Sequence, residues 1–113
     1  FLIETPSQKI YMGGDSGYDT HFAEIGKQYP GIDLAILENG QYNEDWKYIH
    51  TMPQYLGQVA RDLNAEKILT VHHSKYALAR RRWDEPLKNA MNLKEKDSLN
   101  VLMPIIGEVV RLK

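Results

Sequence analysis

The sequence predicts an α/β domain with one mixed sheet and its helices packed mainly on one face. Three observations carry that prediction. Short apolar runs alternate with amphipathic helical stretches, the pattern of parallel strands joined by crossover helices. Two of those runs, Leu34-Ala35-Ile36-Leu37 and Lys67-Ile68-Leu69-Thr70-Val71, read as strands buried in a sheet rather than at its surface. The chain also opens on two strand-like segments separated by Pro6-Ser7-Gln8-Lys9, a turn-forming cluster, so a β-hairpin is expected first.

Phe1 to Thr5 reads as the first strand and Ile10-Tyr11-Met12 as the second, ended by Gly13 and Gly14. Asp19 or Thr20 can cap a helix that runs to Tyr29, where Pro30-Gly31 stops it. Phe22, Ile25 and Tyr29 fall at helical spacing and make its expected buried stripe. The run at 34–37 follows as a strand. Glu38 to Met52 is a long irregular stretch with bulky aromatics, and a loop of that length in a compact domain is usually functional or disordered. Pro53 is a good first helical residue. The helix it begins carries Leu56, Val59, Ala60 and Leu63 on one stripe and ends at Asn64. The strand at 67–71 runs into His72-His73. A short helix is expected around Pro86 to Leu93, and residues 99–103 and 107–112 read as two last strands broken at Pro104.

The 113 residues suffice for one small domain, 1–113, and not for two. Net charge is −1, so nothing global draws the chain to nucleic acid or an anionic membrane. The charge is uneven: residues 1–60 hold eight acids and three bases, residues 61–113 seven acids and eleven bases. Two halves that attract each other within one domain account for this more simply than a basic rim for an anionic substrate. There is no cysteine, which excludes disulfides and thiolate metal sites and fits a reducing, cytoplasmic setting. No apolar run approaches the roughly 20 residues that span a bilayer, and no signal peptide is visible. The chain starts at Phe1, without Met, inside a strand, as a piece of a longer protein would.

Ligands in parallel sheets gather at the carboxyl ends of the strands. Three strand ends here carry unusual residues: Asp15 after the first parallel strand, Glu38-Asn39-Gly40 after the second, His72-His73 after the third. Asp15 lies among Gly13, Gly14 and Gly17, and glycines permit a tight turn that presents a carboxylate at a sheet edge. Such a carboxylate can bridge two cations, or it can simply bond nearby N–H groups in an Asx-turn or helix cap. His72 can be a metal ligand through a neutral imidazole, or a buried histidine bonded to backbone. His50, just before a helix, can donate to a substrate oxygen as a general acid, or only pack at the helix entry. His21 reads as an exposed first-turn residue. Tyr42, Trp46 and Tyr48 can line a pocket or close a small core. Arg80-Arg81-Arg82 with Lys75 can meet an anion, although a charge run is more often a solvated face.

Taken together and in order, these residues resemble the C-terminal half of a metallo-β-lactamase-fold hydrolase. The branch is that of the N-acyl-phosphatidylethanolamine phospholipase D-like enzymes and their bacterial relatives, related to the ascorbate-6-phosphate lactonases. Lys9 to Tyr18 is similar to the family's strand and Gly-Asp-Thr-Gly-Tyr loop. Asp33 to Leu37 with Gly40-Gln41-Tyr42 is similar to its next strand and Gly-Ala-Tyr loop. His50-Thr51-Met52-Pro53 resembles its His-x-x-Pro helix entry, and Leu69-Thr70-Val71-His72 with Tyr76-Ala77-Leu78-Ala79 its strand ending in a metal-binding histidine. Trp83-Asp84-Glu85-Pro86-Leu87 is a weaker fifth match.

The resemblance implies half of an αββα sandwich and a parent protein that hydrolyses a phosphodiester, lactone or other ester. It implies two divalent metal ions, zinc foremost and manganese as the alternative. Asp15 would bridge them and help orient the attacking hydroxide, His72 would ligate one, and His50, Tyr18 and Tyr42 would meet substrate. The family's other ligands, a His-x-His-x-Asp-His motif and a further histidine, lie N-terminal to the Asp15 equivalent, and this sequence has no histidine before His21. So the chain by itself is expected to be inactive and to hold metal weakly, because affinity depends on ligand count. Its expected partners are the N-terminal half of the same protein and a small-molecule or lipid-like ester. Alone, its uncovered sheet face should lead it to self-associate. The sequence departs from the family at His73-Ser74-Lys75, where Trp-Gly-Thr is usual, and at Glu38-Asn39, where an apolar residue or proline is usual. The alternative reading is a non-catalytic α/β binding or interaction domain.

Overall fold

The structure is a computed structural model. It describes residues 1–15, 17–39, 53–71, 85–95 and 99–112. Eight elements follow in the order β1 (Leu2–Glu4), β2 (Lys9–Met12), α1 (His21–Gln28), β3 (Leu34–Glu38), α2 (Pro53–Leu63), β4 (Lys67–Val71), α3 (Glu85–Glu95) and β5 (Val101–Leu102). They build one five-stranded mixed sheet in sequential order, β1-β2-β3-β4-β5. β1 pairs antiparallel with β2, and the remaining pairs are parallel. The expected hairpin is therefore present, with Thr5 closing its turn by accepting the Gln8 N–H at 2.9 Å.

Register fixes the two faces. Tyr11, Ala35, Ile68 and Val101 are successive cross-strand partners. With Leu37 they join Phe22 of α1, Leu56, Val59, Ala60 and Leu63 of α2, and Ala90 and Leu93 of α3 in one core. All three helices thus bury their stripes on the same side of the sheet. The α2 stripe is the one expected from spacing, and Asn64 ends it in the left-handed region at φ 51°. In α1, Phe22 is buried and Ile25 half-buried, but Tyr29 is exposed, because the helix stops at Gln28 and Tyr29 leaves its register.

The other face carries Ile3, Ile10, Met12, Leu34, Ile36, Leu69, Val71 and Leu102, by alternation from the core residues. Leu34 is buried, whereas Ile3, Met12 and Val71 stay 47%, 40% and 39% exposed. A strand order that never reverses leaves no crevice between oppositely directed crossovers, unlike a doubly wound sheet. Among the described residues, the helices lie on one side of this sheet.

The C-terminal end differs from expectation. β5 is only Val101–Leu102, and residues 107–112 form no strand. Pro104 cannot donate to a ladder. Gly107 then turns the chain at φ +91°, and Glu108 closes the turn on Ile105 through both its N–H and its carboxylate, each at 2.9 Å.

Candidate metal centre

Asp15 stands where β2 runs out. Beyond Met12, the Gly13 N–H donates to the Ile36 carbonyl at 2.9 Å, which continues the ladder between β2 and β3. Gly14 then turns at φ +60°, a conformation few residues but glycine adopt without strain. Asp15 follows, exposed, on this turn. α1 begins at His21 with Thr20 at its N-cap position, which makes no side-chain capping bond, and the Asp19 carboxylate accepts the Thr20 N–H at 2.6 Å.

Downstream of Asp15 the chain is tied to α2. The Tyr18 hydroxyl donates to Asp62 Oδ2 at 2.9 Å, and its ring stacks on Tyr55 at 5.1 Å and on Phe22 at 6.3 Å. Asp62 Oδ1 accepts from the Gln58 side chain at 2.7 Å. The bond to Asp62 raises the Tyr18 pKa above its ordinary value of 10.0, with loss of hydration and the nearby acids adding to it, so the phenol stays a donor at neutral pH.

The ends of β3 and β4 lie at the same edge. Glu38 pairs with Val71, and the Asn39 N–H donates to the Val71 carbonyl at 2.9 Å. Glu38 and Asn39, the departure from the family pattern, are both buried. Asn39 Nδ2 donates to the Pro86 carbonyl at 2.6 Å, so this side chain moors α3 to the sheet. Its Oδ1 is buried with no hydrogen-bond partner. The sequence marked Asn39 only as an unusual residue at a strand end and gave no sign of this mooring, and it gave none of Asp62, whose partner Tyr18 is 44 residues away.

His72, His50 and Tyr42 lie outside the described residues, as do Trp46, Tyr48, Lys75 and Arg80-Arg81-Arg82. In the chain His72 directly follows Val71, the residue paired with Glu38. His21 is half-buried rather than exposed, with its ring 4.0 Å from that of Phe22. Among the described residues no three His, Asp or Glu side chains group closely enough to hold a metal. A carboxylate and an imidazole are donors that suit zinc or manganese. Asp15 stands exposed on its turn, and the described residues complete no shell around it. An apolar cleft between the ends of β4 and β5 and α3 is lined by Leu69, Thr70, Leu87, Leu102, Met103 and Pro104. At about 140 Å³ it is smaller than a small-molecule site of about 300 Å³ or more.

The sequence pattern described as "Beta-lactamase superfamily domain" matches residues 1–73. The chain belongs to that superfamily. Its fold is the metallo-β-lactamase α/β fold, and its family is one of hydrolases. This superfamily chain is 57% identical over 72 residues to Outer membrane protein RomA of Klebsiella pneumoniae, covering 64% of this chain and 54% of RomA. It is 32% identical over 90 residues to the mitochondrial N-acyl-phosphatidylethanolamine-hydrolyzing phospholipase D of Saccharomyces cerevisiae, covering 76% of this chain and 19% of that enzyme. Its fold matches Igni18, a novel metallo hydrolase from Ignicoccus hospitalis, with TM-score 0.71 at 18% identity. That match covers 96% of this chain and 43% of Igni18. The chain thus spans about half the length of RomA and less of the other two. Among the described residues no helix is long and apolar enough to cross a membrane.

Proposed function

We propose that this chain is the C-terminal part of a metal-dependent hydrolase acting on a phosphodiester, lactone or other ester. The observation that supports it most is the Asp15 turn: an exposed carboxylate at the carboxyl end of β2, past the sheet and ahead of the helix cap, in a chain of this superfamily. Asp15 and His72 are the residues we assign as metal ligands, with zinc as the first candidate and manganese as the second. When bound, a metal pair supplies an acidified water and charge stabilisation for an oxyanion. Asp15 orients the attacking oxygen, and His50 donates a proton to the substrate or its leaving group. Tyr42 contacts substrate. Tyr18, whose hydroxyl Asp62 holds, meets substrate only through its ring. The likeness to the yeast phospholipase D supports a lipid-like ester among the candidates. We place the protein in the cytoplasm on its lack of cysteine, and fractionation of cells checks this against the outer-membrane name that RomA carries.

The remaining ligands come from the N-terminal half of the parent protein in this reading, and the chain alone is inactive. Two measurements test it. The coding sequence upstream should contain a His-x-His-x-Asp-His motif. In the full-length protein, Asp15→Ala should lower metal-dependent ester or phosphodiester hydrolysis by at least about 100-fold, since even outer-shell changes at metal sites cost about 10–100-fold. Undiminished turnover in that variant would sink the assignment and favour the non-catalytic binding domain.

A further inference from the structure

We infer that Tyr18 and Asp62 form a latch that positions the Asp15 carboxylate for its metal. The inference rests on the metal-ligand reading of Asp15 given above. The loop between β2 and α1 is tied to the rest of the fold on either side of Asp15. Upstream, Gly13 is pinned to the Ile36 carbonyl of β3 at 2.9 Å. Downstream, Tyr18 is bonded to Asp62 Oδ2 at 2.9 Å. Asp15 sits between these points, on the turn that Gly14 makes at φ +60°.

The downstream anchor is itself held rigidly. Both Asp62 oxygens are used, one by Tyr18 and one by Gln58, so the carboxylate cannot rotate without breaking a bond. Its backbone is fixed against α1, because a Cβ built on Gly26 would overlap the Asp62 carbonyl oxygen. The Tyr18 ring lies nearly parallel to Tyr55, at 14°. It also stacks on Phe22, which is 1% exposed and meets Tyr11 of β2 edge-on at 6.4 Å. The circuit closes from β2 through the loop and Tyr18 to α2 and back through Phe22 to β2. Yet Tyr18 is 36% exposed and belongs to no core cluster. A bond so placed does little for global stability and much for the geometry of the loop it spans. Metal affinity is the property that such preorganisation changes.

The test is zinc titration of the metal-free full-length protein by calorimetry with a competing chelator. Hydrogen exchange of the amides in 13–18 is followed alongside. Tyr18→Phe removes only the hydroxyl and keeps the stack. Tyr18→Phe and Asp62→Ala should each weaken zinc binding about tenfold and speed exchange in the loop. Combining them should be no worse than either alone, since they break one contact. Asp62→Asn, which still offers an acceptor, should bind zinc within about threefold of the parent. The unfolding midpoint of metal-free Tyr18→Phe should stay close to that of the parent. Zinc affinity unchanged in both Tyr18→Phe and Asp62→Ala, while Asp15→Ala loses it, overturns the latch and leaves the metal reading standing. Unchanged affinity in Asp15→Ala overturns both.

Discussion

At the scale of the residue, the region around α1 and α2 depends on two glycines that do different work. Gly14 has open space around it and is needed only for its backbone conformation. Gly26 has an ordinary helical backbone and is needed for space, because the Asp62 carbonyl occupies the position of a Cβ. A methyl there must force two helix backbones apart, and neither can yield as a flexible side chain would. Gly26→Ala should therefore destabilise the protein by about 1–3 kcal/mol despite the better helix propensity of alanine, as denaturant unfolding would register. Tyr18 adds a pH dependence of known sign. Its folded pKa is raised above 10.0, so its contribution to stability is full below about pH 10 and is lost as pH rises through the folded value. The turn that carries Asp15 was legible in the sequence because glycines flank it and the strand before it is short and apolar. Asp62 was not: on α2 it looks like any surface acid, and only the folded chain brings it to Tyr18.

At the scale of the element, continuous apolar runs made β3 and β4 legible, and helical spacing did the same for α2. A parallel strand covered by helices has few other compositions open to it. The terminal strand was misread for a related reason. Val109 and Val110 have strand-like composition, but a strand also needs a neighbour, and beyond Leu102 the chain turns away at Gly107. The link between β3 and α3 was hidden because it is one side chain. Asn39 Nδ2 reaches Pro86 across 47 residues, inside the protein. Asn39→Asp replaces that donor with a second acceptor and buries a charge. We expect a loss of about 3 kcal/mol or more at pH 7, with faster amide exchange in α3. Burial raises the pKa of the new carboxyl in the folded state, so protonation restores a donor and much of the stability should return toward pH 4. A variant equally unstable at both pH values would mean that Asn39 acts through shape alone.

At the scale of the whole molecule, the three helices pack on one side, and the opposite face is mostly apolar, with Glu38 and Lys67 at its two ends and the Lys67 ammonium donating to the Leu112 carbonyl at 3.1 Å. Patches of this kind mark surfaces that another protein surface covers. In our reading the cover is the N-terminal half of the parent protein, which would also bring further donors to the Asp15 edge. The chain by itself should then self-associate through this face. Leu69 is the position that tests the idea, since it lies mid-strand in β4 opposite Ile36 and Leu102. Leu69→Lys should render the isolated chain monomeric in sedimentation at concentrations where the parent sequence associates, with little change in its own unfolding. The same change in the full-length protein should bury an unpaired charge between two sheets and destabilise it by about 3 kcal/mol or more. These opposite outcomes separate a covered face from a merely sticky one. A face that met only solvent in the full-length protein would accept the lysine there at no measurable loss of stability.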